Sequence, residues 1–127
     1  MNNLSKRERV DELIDHFWKN GYLTLYRKHG TFLPEPKPVG GYNIDAVGKY
    51  KQKLVMGVIL SADDLNDPKI SARLNFLATR HTKFSNRRVT LFVGVPADYY
   101  SKARMIVTAL DEDAKKNIKL VKISKPE

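Results

Sequence analysis

The sequence contains no cysteine and no long apolar segment. Without cysteine, the chain has no disulfide bonds, no thiolate nucleophile and no cysteine ligands for zinc. No apolar run approaches the ~20 residues that a membrane-spanning helix needs, and the opening MNNLSKRERVDEL lacks the apolar centre of a secretion signal. We therefore expect a cytoplasmic protein that does not associate with a membrane.

Acidic residues are also scarce. The 14 acidic residues stand against 23 basic ones, which gives a net charge of +9, and no acid occurs between Lys69 and Ala97. An excess of this size favours polyanionic partners such as nucleic acid without identifying one. With 127 residues, 42% of them hydrophobic, the chain suits a single domain spanning 1–127 with one core.

The first helix has clear start and stop signals. Ser5 and Glu8 have capping-box spacing, and Asn20-Gly21 is a typical helix end. The apolar residues between them fall at helical spacing and predict one buried stripe: Val10, Leu13, Ile14, Phe17 and Trp18. The alternating segment Leu23 to Lys28 then predicts a strand.

A proline-rich loop, Thr31 to Gly41, separates this strand from two further strands. The loop either simply connects its neighbours, or lines a cleft or contacts a partner. Tyr42 to Val47 and Lys53 to Leu60 read as strands, with the turn predicted over Gly48 to Gln52.

Helices and strands alternate in the remainder of the chain. We expect a helix from Asp67-Pro68 to near Phe84, with its buried face formed by Ile70, Leu74, Leu77, Ala78 and His81. The apolar run Val89 to Val95 predicts a strand covered on both faces, Pro96 begins another helix, and Asn117 to Ser124 is a last strand. The order αβββαβαβ predicts an α/β fold, with a mixed central sheet flanked by helices.

Residues 42–65 carry the strongest family signal. Asn43-Ile44-Asp45 on one strand, followed by LVMGVILSADDL on the next, resembles the PD-(D/E)xK, or restriction-endonuclease-like, nuclease superfamily. Together with the element order, the resemblance covers roughly Ser5 to Pro96. It implies a restriction-endonuclease-like fold with Asp45 as a metal-binding acid, and with Glu8 or Glu12 as the acid from the first helix.

The sequence departs from this family where the chemistry should be. The resemblance implies a second carboxylate at Val58 and a catalytic lysine at Leu60. Magnesium needs several oxygen ligands, and neither face of the strand supplies one. Asp45, Glu8 and Glu12 are therefore interpreted as possible remnants of a catalytic site, and we predict no metal and no cofactor.

Three alternatives to that interpretation stay open. Lys69 or Arg73, with Asp63 or Asp64, could rebuild an active site for a magnesium-dependent DNA or RNA nuclease. The chain could instead be a protein-interaction or oligomerisation module, for example a homodimer formed through a sheet edge or the last helix. Asp45 itself could simply satisfy a loop or pair with a lysine.

The basic residues predict where nucleic acid would bind. Arg73 and Arg80 are seven residues apart on the predicted helix, and Lys83, Arg87 and Arg88 follow them. Lys49 and Lys51 flank Tyr50 in the hairpin, which places charge beside an aromatic ring. Our interpretation is a nuclease-fold protein without catalytic activity that acts as a nucleic-acid-binding or assembly module.

Overall fold

The computed structural model describes residues 5–82 and 87–123, in which one five-stranded sheet is flanked by helices. Lys83 and the predicted helix end near Phe84 lie outside the described residues. In chain order the elements are α1 (Lys6–Lys19), β1 (Leu23–Arg27), β2 (Ala46–Tyr50), β3 (Lys53–Ile59), α2 (Ala62–Asn66), α3 (Ile70–Ala78), β4 (Thr90–Pro96), a 3₁₀ turn (Ala97–Tyr99), α4 (Tyr100–Thr108), α5 (Glu112–Lys115) and β5 (Ile118–Ile123).

The sheet is mixed, as predicted. Its strands lie in the order β1-β2-β3-β4-β5; β1, β2 and β3 are antiparallel neighbours, whereas β3, β4 and β5 are parallel. The structure adds two short helices that the sequence analysis did not predict, α2 and α5. Helix α2 begins at a second capping box, formed by Ser61 and Asp64.

Helix α1 packs close to one face of the sheet because small residues lie beneath it. Leu13 and Phe17 are fully buried, and a Cβ on Gly57 would lie 2.6 Å from Leu13 Cδ2. The predicted capping box of this helix is present, but Trp18 was wrongly assigned to the buried stripe and is 65% exposed. Trp18 is one residue, about 100°, beyond Phe17 around the helix, which turns it out of the contact.

The opposite face of the sheet carries the larger core. Leu91, Val93 and Val95 of β4 pack there with residues of α3 and α4, while Phe92 contacts Phe17 on the α1 side, with ring centroids 5.2 Å apart. The expectation that β4 is covered on both faces is therefore confirmed. Within residues 5–82 and 87–123, no helix combines the length and apolar character needed to cross a bilayer.

The hairpin between β2 and β3 differs from its predicted boundaries. Strand β2 begins after Asp45 and continues to Tyr50, which pairs with Lys53, so only Lys51 and Gln52 form the turn. Gly48 is a strand residue: a Cβ there would lie 3.0 Å from both Phe17 and Val55. The glycine permits close packing under α1 and does not form the turn.

Helix α3 is shorter than predicted. It ends at Ala78 because side chains take up its last carbonyls: Thr79 Oγ1 donates to Asn75 O at 2.8 Å and Arg80 Nε donates to Phe76 O at 2.8 Å. Residues 80–82 then leave the helix and pair with residues 87–89. Arg80 therefore does not share a helical face with Arg73, as the sequence analysis expected, and His81 is not part of a buried helical stripe.

The proline-rich loop is anchored at both of its ends. Pro34 O accepts a hydrogen bond from Arg27 N at 3.0 Å, which holds the loop beside β1. At the other end Gly40 lies against the ring of Phe76, whose ring also contacts the Arg80 guanidinium, 3.8 Å from the centroid. These two contacts hold the loop against β1 and α3.

Adjacent glycines in this loop give a matched test of that anchor. Gly40 and Gly41 both have positive φ, +58° and +83°, so alanine at either position costs about 1 kcal/mol of backbone strain. Only at Gly40 would the new Cβ meet an atom, at 2.3 Å from the Phe76 ring, whereas Gly41 faces open space. We expect Gly40→Ala to lower the free energy of unfolding in urea by about 1–3 kcal/mol more than Gly41→Ala. Equal losses would mean that Phe76 does not anchor the loop.

Candidate functional site

Asp45 lies where the pairing of β2 with β3 ends. Its backbone N–H donates to Gly57 O at 2.8 Å, and its carboxylate Oδ2 accepts the N–H of Ile59 at 2.7 Å. Its carbonyl oxygen accepts the N–H of Lys28 at 2.9 Å. The side chain of Asp45 therefore satisfies a backbone donor at the end of β3, and the residue links β3 to the segment after β1.

A cavity of about 480 Å³, here called the Asp45 pocket, opens beside this carboxylate. Basic side chains from two separate segments line it: Lys6 and Arg9 from α1, and Lys28 and His29 from the segment after β1. Three acidic residues also line it: Glu35, Asp45 and Asp64. Acidic and basic side chains therefore line the same cavity beside Asp45.

Burial changes the acidity of Asp45. Loss of hydration raises the pKa of this carboxyl above its usual value, and the hydrogen bond from Ile59 and the positive charges of Lys28, Arg73 and His29 oppose that rise only in part. The carboxyl consequently becomes protonated at a higher pH than an exposed aspartate does.

Arg73 provides an internal counter-ion for the acids of this region. Its guanidinium Nη1 lies 3.7 Å from Asp64 Oδ1, and its side chain is only 22% exposed. Asp64 Oδ2 accepts hydrogen bonds from the N–H and hydroxyl of Ser61, at 2.8 and 3.1 Å. Asp64 is therefore paired with Arg73 and bonded within the cap of α2. The nucleic-acid contact predicted at Arg73 falls on a largely buried side chain with an acidic partner.

A metal ion would need several oxygen ligands directed at one point. Within residues 5–82 and 87–123, no three histidine, cysteine or acidic side chains are grouped so that they could hold one. Glu35, Asp45 and Asp64 line the same cavity without forming such a group.

Glu8 and Glu12, the acids expected from the first helix, do not line the Asp45 pocket. Glu8 caps α1 by accepting the N–H of Ser5 at 2.9 Å. The helix presents Lys6 and Arg9 instead. Sequence analysis missed all four basic residues of the pocket, because only the fold brings residues 6–9 and 28–29 next to residue 45.

Two other predicted nucleic-acid contacts hold the fold together. Arg80 stacks on Phe76 and bonds to its carbonyl. Arg88 donates from Nε to His81 Nε2 at 3.3 Å and from Nη1 to Asp113 O at 3.1 Å, which ties the start of β4 to α5. Both guanidinium groups therefore have hydrogen-bond partners within the protein.

The other predicted basic residues that the structure describes, Lys49, Lys51 and Arg87, lie at or near the hairpin turn. Exposed residues of the turn and of the segment before β4 line one shallow surface, here called the hairpin patch: Tyr50, Lys51, Gln52, Lys53 and Arg87. Tyr50 is 46% exposed, and Lys51 Nζ lies 5.4 Å from its ring centroid. Lys49 is exposed on β2 next to this patch. The structure thus joins Arg87 to the hairpin, a grouping that the sequence did not indicate.

Comparison with known proteins adds little to this description. No protein-family model matches the chain, and no curated protein matches it. Among solved structures, the chain is similar to a repair endonuclease from Pyrococcus abyssi, with 15% sequence identity and a TM-score of 0.47 over 99% of this chain and 50% of that chain. The chain therefore spans about half the length of that endonuclease. Agreement this limited does not carry an activity from one protein to the other.

The raised pKa of Asp45 predicts how stability depends on pH. Because the folded-state pKa lies above the unfolded value of 3.8, folding favours the protonated carboxyl, so the stabilising contribution is complete below pH 3.8 and is lost as the pH rises through the folded-state value. Asp45→Asn cannot ionise and keeps an oxygen for the Ile59 N–H. We expect its stability relative to the unsubstituted protein to increase from pH 4 towards pH 7, measured by urea unfolding at each pH.

Asp45→Ala is the matched comparison for that experiment. It also removes the charge, but it leaves the buried N–H of Ile59 without its acceptor, which typically costs about 1–3 kcal/mol. Asp45→Ala should therefore be less stable than Asp45→Asn at every pH. Identical stabilities for the two variants would show that the hydrogen bond to Ile59 contributes nothing.

Proposed function

We propose that this chain is a restriction-endonuclease-like domain that binds nucleic acid without metal-dependent cleavage, and that its Asp45 pocket receives a phosphate group. The observation that carries the proposal is the lining of that pocket, where Lys6, Arg9 and Lys28 surround a carboxylate already bonded to a backbone N–H. A phosphodiester oxygen is the ligand that such donors and charges suit.

The charge of the pocket supports an anion more than a cation. Asp64 is paired with Arg73. The other charged or titratable residues that line the pocket are Lys6, Arg9, Lys28 and His29, together with Glu35 and Asp45. In this proposal, Arg73, Lys6 and Lys28 supply the positive charge that a divalent ion supplies in a nuclease.

The hairpin patch is a second contact surface in this proposal. It combines the cations Lys51, Lys53 and Arg87 with the exposed ring of Tyr50, the combination that binds phosphates and stacks on bases. It lies at the start of β3, whereas the Asp45 pocket lies at its end. Six residue steps of about 3.3 Å separate the two by roughly 20 Å, so a ligand that contacts both must be several nucleotides long.

The pocket can be tested by the salt dependence of binding. Lys28→Gln should weaken binding of a labelled oligonucleotide and reduce the slope of log K against log salt concentration by about 0.7 for a single strand or 0.9 for a duplex. Arg104→Gln removes one positive charge from an exposed residue of α4 that lines neither surface, and it should leave the slope unchanged. No affinity for the oligonucleotide even at low salt would disprove the proposal.

Asp45→Asn separates this proposal from the alternative of an active nuclease. If the pocket binds phosphate, loss of one negative charge should raise affinity for the oligonucleotide by roughly threefold or more. If Asp45 holds a catalytic metal, the same variant should abolish Mg²⁺- or Mn²⁺-dependent cleavage of DNA or RNA that the unsubstituted protein performs. Cleavage by the pure protein, lost in Asp45→Asn, would establish the nuclease.

The assembly alternative depends on the free edge of the sheet. Among residues 5–82 and 87–123, no strand pairs with β1 on the side away from β2, and β1 exposes Leu23 and Leu25, by 62% and 37%. A homodimer through this edge stays a prediction, which sedimentation of the pure protein can test independently of nucleic-acid binding.

A further inference from the structure

A second cavity of about 480 Å³ lies under the proline-rich loop, on the sheet face opposite α1. Its floor is apolar and formed by Ile44, Val47, Leu54 and Met56. Its wall is formed by the rings of Tyr26, Pro34 and Pro36, and Lys37 is exposed at its rim. We call this cavity the proline-loop pocket.

The proline-loop pocket and the Asp45 pocket are neighbours. Glu35 lines both cavities, because the bond from Arg27 N to Pro34 O holds residues 34–36 along β1. Along β1 and the segment that follows, Tyr26 faces one cavity while Lys28 and His29 face the other. The apolar proline-loop pocket therefore adjoins the Asp45 pocket with its basic side chains, and Glu35 lines both.

We infer that the proline-loop pocket receives an unpaired base of the bound nucleic acid while the adjoining Asp45 pocket holds that nucleotide's phosphate. This inference rests on the proposed function and specifies its ligand as a single strand or a flipped nucleotide.

Three features favour a base over another occupant. The volume lies within the range of small-molecule sites, and Tyr26 supplies an aromatic ring of the kind on which bases stack. The cations of the adjoining pocket suit its phosphate. Glu35 at the shared edge can accept hydrogen bonds from sugar hydroxyl or base amino groups, which an acyl chain lacks.

The decisive experiment compares two single strands with equal numbers of phosphates, one with normal nucleotides and one made entirely of abasic sites. Fluorescence anisotropy at fixed salt should show the abasic strand binding roughly tenfold more weakly, as expected when one stacked base is lost. A duplex of the same sequence should also bind more weakly than the normal strand, because its bases are paired.

Tyr26→Ala tests whether this preference arises in the proline-loop pocket. The residue lies on the edge strand and is 41% exposed, so the variant should fold. It should reduce the ratio between the affinities for the normal and abasic strands, leaving only the part that stacking on Tyr50 of the hairpin patch contributes. Trp18→Ala removes an exposed aromatic ring that lines neither cavity and should preserve the tenfold ratio. Thermal unfolding of both variants checks that each is folded.

Other outcomes would overturn the inference in distinguishable ways. Equal binding of the normal and abasic strands by the unsubstituted protein would leave phosphate binding intact and remove the base pocket. Binding of neither strand would refute the proposed function as well. Competition by dodecyl phosphate at lower concentration than by a nucleoside monophosphate would assign the cavity to an acyl chain.

Discussion

The hydrogen bond from Ile59 N–H to the Asp45 carboxylate determines how this end of the sheet is built. The last paired residues of the two strands are Ala46 and Gly57, and beyond them a side chain replaces the neighbouring backbone as the acceptor for β3. The preceding chain is then free to leave the sheet as the proline-rich loop. Both cavities lie in the space between that loop, the end of β3 and the segment after β1.

The same bond limits what chemistry Asp45 can perform. A carboxylate that caps a backbone N–H has lone pairs left for another ligand, but the nearby groups that influence it are Lys28, Arg73 and His29, all of them basic. Asp64 forms an ion pair with Arg73 and accepts a hydrogen bond from the Ser61 N–H. A divalent ion at Asp45 would meet these positive charges, whereas the phosphate that we propose would interact with them favourably.

Local signals in the sequence predicted much of the fold. The capping box at Ser5, the apolar run of β4 and the alternation of later helices and strands depend on short-range geometry, which a single sequence displays. The errors arose where tertiary contacts override local signals. Gly48 resembles a turn residue but packs under Phe17, and the helix signal continues past Ala78, where Arg80 instead turns back onto Phe76.

The candidate site was harder to predict than the fold, for a physical reason. Asp45 was identified through the resemblance to the nuclease superfamily, which also singled out Val58 and Leu60 as departures from its pattern. Val58 and Leu60 are core residues, each with 0% exposure. Lys6, Arg9, Lys28 and His29 carry no shared spacing, because a loop, a strand and a helix separate them from Asp45. Charge density along the chain pointed instead to Arg80 and Arg88, whose guanidinium groups are occupied in holding loops to helices.

Backbone strain occurs at both proposed contact surfaces. Among the described residues other than glycine, His29 and Lys51 have positive φ, 59° and 54°. His29 lines the Asp45 pocket and Lys51 lies in the hairpin patch. Glycine would adopt either conformation with about 1 kcal/mol less strain, yet each position carries a larger side chain. Both residues lie in turns, and a positive φ is a common way for a turn to reverse the chain. The strain therefore follows from chain reversal, which places His29 in the lining of the Asp45 pocket and Lys51 beside the ring of Tyr50.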